Sequence, residues 1–251
     1  MVLRELLHRE VRFREDPRFT GWRTQYRVAR AGLHRLLQVP ESTLDGAFAE
    51  LLALRPGLVA ELADRPKGGA MMQAPLLYVL TRVAKPSVVV ETGVASGYSA
   101  RFVLEAMARN GTGTLHSIGI PQLAIDAQKA GGSEAIQELA SHRIGWLVPD
   151  PLRSRWTIHE GMSQAVLPPL LDGLSGPIDA FVHDSFHDYP TMTFEYGAAW
   201  PHLAPGGLLL SHDIHNNSAW REFVGKHGVE RDEELDHDLG VAVRPSDASS
   251  R

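Results

Sequence analysis

Two kinds of hydrophobic spacing divide the chain. Up to about residue 85 the apolar positions recur at intervals of three and four: Leu33, Leu36 and Leu37; Leu44, Phe48, Leu51 and Leu52; Leu76, Leu77, Val79 and Leu80. That period collects them on one face of a helix. Pro40, Pro56, Pro66 and Pro75 are expected to cut the region into short helices. From Pro86 onward the pattern changes to short continuous runs: Ser87–Val90, Thr114–Ile118, Trp156–Ile158, Ile178–Val182 and Leu208–Ser211. Apolar runs without alternation belong to strands covered on both faces. Helical stretches predicted at Ser99–Ala108, Ile125–Ala140, Ser163–Leu171 and Met192–His202 lie between them. Alternating strands and helices predict an α/β fold with a parallel sheet and right-handed crossovers. The end departs from this rule. After a helix at Ala219–His227, the runs Val229–Leu235 and Leu239–Val243 are separated only by Asp236–Asp238, too short for a crossover, so they pair antiparallel.

Composition narrows the picture. A chain of 251 residues holds one α/β domain and an appendage. With 43% hydrophobic and 22% charged residues it has ordinary globular usage. The absence of cysteine excludes disulfides, zinc ribbons, iron–sulfur clusters and thiol nucleophiles. A formal charge of −5 argues against nucleic acid as a partner. No apolar run approaches the roughly 18 residues of a membrane span. The opening MVLRELLHRE carries charges within its apolar stretch, unlike a signal peptide, so a cytoplasmic location is expected. Residues 1–35 hold nine arginines against four acids. This reads as a solvated or subunit-facing surface, compatible with a homodimer, or else as a site for an anionic substrate. The expected organisation is a helical cap, lid or oligomerisation region over 1–75, a sheet domain over 76–245 and a flexible tail over 246–251. Lys67-Gly68-Gly69-Ala70 is a candidate hinge.

The most informative stretch is Val90-Glu91-Thr92-Gly93-Val94-Ala95-Ser96-Gly97-Tyr98-Ser99. A buried strand runs into glycines and then into a helix for which Ser99 is the expected N-cap. Such a turn lies beyond the carboxyl end of its strand, where open α/β sheets bind ligands. Glu91 at the mouth of a helix N-terminus disfavours a pyrophosphate, which that terminus would otherwise attract. A carboxylate there can pair instead with an ammonium group, which favours S-adenosylmethionine over a nicotinamide dinucleotide.

The segment Glu91–Ser99 resembles the first motif of class I S-adenosylmethionine-dependent methyltransferases. The resemblance spans residues 70–245 and includes the terminal antiparallel pair. It is nearest to a bacterial small-molecule O-methyltransferase group that contains the macrolide sugar methyltransferases and the cephalosporin hydroxylase-like proteins. Lys85-Pro86, Leu167-Pro168, His183-Asp184-Ser185 and Pro205-Gly206-Gly207 match it. The resemblance implies a Rossmann-like, seven-stranded, mostly parallel sheet with an antiparallel last strand. It implies a role in natural-product biosynthesis on a small-molecule substrate. It also implies that Glu91, Gly93, Gly97 and Ser99 hold the methionine part of the cofactor, and that Met162 and Ser163 flank adenine. One departure stands out. The second strand of such proteins ends in an acid that grips both ribose hydroxyls, and here Gly119 takes that place. A contact of that kind is worth about 1.5–3 kcal/mol, so cofactor binding weaker by one or two decades is expected. His116, Gln122 or water is one substitute; a relaxed or lost cofactor site is the alternative.

Five of the twelve histidines fall within 183–215: His183, His187, His202, His212 and His215. Asp184 and Asp213 close two adjacent parallel strands and so face one crevice. By resemblance to catechol and sugar O-methyltransferases, Asp184, His212 and Asp213 form a candidate metal set. One imidazole with two carboxylates suits manganese, iron or zinc better than magnesium. His187 is the candidate general base, working beside Asp184. His183 alternates with Asp184 and should point away, buried and satisfied; His202 is expected to be structural and His215 to lie where substrate passes. The expected activity is methyl transfer to a small-molecule hydroxyl. Hydroxylation or cyclisation on the same scaffold, or a non-catalytic binding module, are the alternatives.

Overall fold

The computed structural model describes residues 20–62, 71–120 and 143–245. Three helices come first: α1 (Trp22–Leu37), α2 (Glu41–Leu62) and α3 (Ala74–Ala84). Then follow β1 (Val88–Thr92), α4 (Tyr98–Asn110), β2 (Thr114–Gly119), the single turn α5 (Asp150–Arg153), β3 (Trp156–Glu160) and α6 (Ser163–Gly173). The remainder is β4 (Ile178–His183), α7 (Tyr189–Ala199), β5 (Leu203–Ser211), α8 (Ala219–His227), β6 (Asp232–Leu235) and β7 (Leu239–Val243). The helix expected at Ile125–Ala140, the hinge Lys67–Ala70, Gln122 and the tail 246–251 lie outside the described residues.

The strands form one seven-stranded sheet in the order β3-β2-β1-β4-β5-β7-β6. Pairing is parallel from β3 through to β5, and β7 runs antiparallel to both β5 and β6. This is the Rossmann-like arrangement with an antiparallel last strand that the resemblance implies, and its parallel body and antiparallel end are those that the hydrophobic runs predict. Alternation along each strand sorts its side chains into two cores. Val89, Ala180, Val182, Leu208 and Leu210 pack with helices α1–α4, whereas Val90, Phe181 and Leu209 pack with α6–α8. The first core is continuous with the N-terminal helices, and polar contacts reinforce it. Buried Arg101 on α4 reaches Glu61 on α2 at 2.9 Å and Glu105 at 2.8 Å, and Arg35 on α1 pairs with Glu233 on β6. Among the described residues no helix is long and apolar enough to cross a membrane.

Four local expectations are corrected. Pro56 does not end a helix, because α2 runs through it; Pro56 and Gly57 face solvent, where water can satisfy the carbonyl that proline leaves without a donor. Ser99 is not the N-cap of α4. Gly97 holds that position with φ 81, a left-handed conformation open to glycine. Helix α7 begins earlier than Met192, since the Asp188 carboxylate accepts the Thr191 backbone N–H at 2.8 Å and caps it. Strand β6 begins at Asp232 rather than Val229.

Candidate functional site

A cavity of about 210 Å³ opens at the carboxyl ends of β1, β2 and β4. Its walls include Gly93, Val94 and Ala95 of the glycine turn, Gly119 and Ile120 beyond β2, Ile144 and Trp146, Met162 and Ser163 beyond β3, and Asp184, Ser185 and Phe186 beyond β4. The wall is predominantly apolar with a few hydroxyls and one carboxylate, the mixture expected where a flat ring is stacked and its polar end oriented. Gly93 has φ 92, and a Cβ there would collide with the Asp184 carbonyl. The glycine thus lets the β1 turn close against the β4 loop and shapes the cavity mouth.

Of the residues expected at the cofactor, Gly93, Met162 and Ser163 line this cavity, while Glu91, Gly97 and Ser99 stand behind its wall. Glu91 is only 1% exposed. Its carboxylate accepts hydrogen bonds from the Ser99 hydroxyl and, at 2.6 Å, from the Ser117 hydroxyl. Burial pushes its pKa up to about 7, further than the two hydroxyls pull it down. The acid that singled out the turn in the sequence is therefore part of its foundation.

Gly119 is explained by packing. A Cβ at this position would lie 2.5 Å from Val94 Cγ1 and 3.3 Å from Ile144 Cδ1. The space that an aspartate would need is filled by two aliphatic side chains. His116 does not replace it. It is absent from the cavity wall, and its Nδ1 lies 3.1 Å from Nε2 of His159 on β3.

Beside the cavity, the ends of β4 and β5 assemble two carboxylates and two imidazoles in alternation. Asp184 Oδ1 lies 2.9 Å from His212 Nδ1 and 3.6 Å from His187 Nε2. Asp213 Oδ2 lies 3.4 Å from His187 Nδ1, and its Oδ1 lies 3.5 Å from His212 Nε2. Neither nitrogen that faces Asp184 meets solvent or has a hydrogen-bond partner. Burial pushes the Asp184 carboxyl up, but the two imidazoles outweigh it and hold the group below its usual value. Burial likewise pulls His212 down, and Asp184 with Asp213 raises it above an ordinary imidazole. One ligand atom each from Asp184, His187 and His212 lie within 4.8 Å of one another. Asp213 stands outside this tight group, in a left-handed conformation with φ 53. The donor set fits a divalent cation, because two buried ring nitrogens and a carboxylate oxygen converge on one point.

Under the cluster lies a buried polar network. Glu195 on α7 accepts from Thr92 Oγ1 at 2.5 Å and from Ser185 Oγ at 2.7 Å, and its Oε2 lies 2.6 Å from His183 Nδ1. It thereby ties β1, β4 and the Asp184–His187 loop together. His183 is fully buried, as alternation predicts, but it is only half satisfied. Its Nδ1 is paired with Glu195, its Nε2 has no hydrogen-bond partner, and the ring lies 5.4 Å from that of His187 rather than pointing away from it. His202 and His215 stay outside the cluster, near Asp172 at 3.8 Å and Glu234 at 3.6 Å. Sequence reasoning missed Phe186, Ile144 and Glu195. A signal for Glu195 existed: with Met192, Tyr196 and Ala199 it falls on the buried stripe of α7, where an acid needs a partner.

Residues 90–214 match the family described as a methyltransferase domain. The chain belongs to the class I S-adenosylmethionine-dependent methyltransferases. No curated protein matches it. Among solved structures, the O-methyltransferase from Bacillus cereus in complex with SAH is 15% identical, with TM-score 0.50 and coverage of 82% of this chain and 92% of that one. Cofactor-bound Rv0187 from MTB is 16% identical, with TM-score 0.51 and coverage of 76% and 91%. At such identities these likenesses show that this methyltransferase shares their fold.

Proposed function

We propose that this methyltransferase transfers a methyl group from S-adenosylmethionine to a hydroxyl of a small molecule, with a divalent cation at the Asp184–His187–His212 cluster. One observation carries the reading: Asp184 belongs both to the wall of the apolar cavity and to the imidazole–carboxylate cluster. The donor and the activating groups are therefore adjacent across a single side chain.

The cavity's apolar wall takes the adenine ring, with Met162 and Phe186 exposed at its rim and available to cover it. Ser163 and Ser185 supply hydroxyls to the nucleoside. Gly93 lets the turn close against the β4 loop at the Asp184 carbonyl, and the methionine end of the cofactor is set there on this reading. A cation held by Asp184, His187 and His212 would lower the pKa of the acceptor hydroxyl and fix its oxygen in line with the methyl group. The sequence assigns His187 as general base, and its Nε2 is the atom that would hold the hydroxyl proton if no cation occupied the cluster. The fold's likeness to the Bacillus cereus O-methyltransferase supports oxygen as the acceptor.

Calorimetric titration with S-adenosylhomocysteine tests the cofactor half, and saturable binding is expected. Transfer of labelled methyl to a panel of phenols, catechols, sugars and amines tests the other half, and label is expected on oxygen. Label on nitrogen would refute the O-directed reading. The filled ribose position at Gly119 favours a second reading, a binding module that has lost its donor. No heat at millimolar ligand would establish that alternative in its place.

A further inference from the structure

The sequence places Asp213 among the metal ligands, and the geometry argues otherwise. Each imidazole of the cluster has one nitrogen toward Asp184 and the other toward Asp213. We infer that Asp213 orients both histidines by accepting their outward N–H groups, leaving Asp184 Oδ1, His187 Nε2 and His212 Nδ1 as a one-oxygen, two-nitrogen site for a zinc-class transition ion. The inference rests on the cation reading above and adds to it the role of Asp213 and the class of ion.

Three observations support it. First, the spacing is that of a coordination shell. Ligands about 2.1 Å from a metal lie roughly 3.0 Å apart at octahedral angles and 3.4 Å apart at tetrahedral ones, and the two edges at Asp184 measure 2.9 and 3.6 Å. Second, the nitrogens on that side are shut from solvent without a hydrogen-bond partner. Those on the Asp213 side lie 3.4 and 3.5 Å from separate oxygens of one carboxylate, about 0.5 Å beyond a hydrogen bond. A metal-bound imidazole commonly donates its other N–H to a carboxylate, which fixes its tautomer and raises its basicity. Third, the left-handed φ of Asp213 turns the chain at the end of β5. His212 meanwhile stays in the sheet through its backbone N–H bond to the His183 carbonyl at 3.0 Å.

The donor set determines which ion is held. Magnesium and calcium prefer oxygen ligands, and magnesium gives up its water reluctantly. Imidazole suits zinc, iron, cobalt, nickel and copper. Two imidazoles with one carboxylate leave coordination positions free for an acceptor oxygen. With its Nε2 lone pair committed to the ion, His187 acts as a ligand, and the assignment of general base lapses in the loaded protein.

The full chain, stripped with a chelator, is titrated with Co²⁺, Zn²⁺ and Mg²⁺ by calorimetry, and the Co²⁺ absorption band is recorded. Zn²⁺ and Co²⁺ are expected to bind once per chain, at least about 100-fold more tightly than Mg²⁺. Asp184→Asn should abolish the Co²⁺ band. Asp213→Asn, which suits a left-handed backbone, should weaken Co²⁺ binding about 10–100-fold with the band retained. Loss of the band in Asp213→Asn as complete as in Asp184→Asn would make Asp213 a ligand. A change below about 2-fold, or Mg²⁺ binding as tightly as Zn²⁺, would equally overturn the inference. Histidine ¹⁵N NMR of the unsubstituted protein decides the point even if a variant fails to fold. The zinc-loaded protein should show His187 protonated at Nδ1 and His212 at Nε2, and the opposite tautomers would refute the assignment. S-adenosylhomocysteine titrations on the same samples separate the two readings: a protein that binds cobalt but no nucleoside fails as a methyltransferase while the metal site stands.

Discussion

Replacing Glu91 with glutamine should stabilise this protein at alkaline pH and much less in mild acid. The Glu91 carboxyl is 1% exposed, and burial lifts its pKa from 4.5 to about 7. Between those values the folded chain keeps a proton that the unfolded chain releases. Its contribution is therefore fully present below about pH 4.5 and is lost as pH rises through 7. The difference in pKa corresponds to about 3 kcal/mol above pH 7, at about 1.36 kcal/mol per unit. Glutamine removes the ionisation, and its amide can still engage the hydroxyls of Ser99 and Ser117. At roughly 2–4 °C per kcal/mol for a chain of this size, Glu91→Gln should raise the thermal midpoint by about 6–12 °C at pH 8. At pH 5, where less than about 1 kcal/mol of that difference has developed, the shift should be only about 2–3 °C. Thermal unfolding of both proteins at the two pH values is the assay. An equal shift at both, or destabilisation at pH 8, would refute the assignment of Glu91 as a buried, ionisable support for the turn. The affinity for S-adenosylhomocysteine adds a second readout. Loss of a direct ammonium partner would cost about tenfold or more, whereas a support behind the wall should cost about threefold.

Other substitutions test the remaining geometry. Gly119→Asp alone should destabilise by about 1–3 kcal/mol through overpacking against Val94. Combined with Val94→Ala it should tighten S-adenosylmethionine binding by about 10–150-fold, and unchanged affinity in a calorimetric titration would show that the ribose lies elsewhere. Gly93→Ala, at φ 92 against the Asp184 carbonyl, should lose about 3 kcal/mol or more in urea unfolding. Glu195→Ala leaves His183, Thr92 and Ser185 with buried unpaired groups, and a loss of about 3–5 kcal/mol is expected by the same measurement. A loss below about 1 kcal/mol would mean that water replaces the carboxylate.

The α/β class, the strand positions and the antiparallel end were legible in the amino-acid pattern, because side-chain periodicity and linker length are local properties. The strand-end acids Asp184 and Asp213 were legible for the same reason: a residue that closes a parallel strand faces the ligand-binding edge of the sheet. Proximity across the chain was not. That Glu91 lies behind the cavity depends on Ser117, 26 residues away on β2. That Gly119 has no room for an acid depends on Val94 and Ile144. The division of roles between His187 and Asp213 depends on which ring nitrogen each carboxylate faces, and motif spacing carries no information about ring orientation. Sequence therefore determined which chemical groups gather at one end of the sheet. Only tertiary packing decided which of them face the cavity, which support it from behind, and which converge closely enough to share an ion, because those outcomes turn on differences of an ångström between side chains brought together from separate strands.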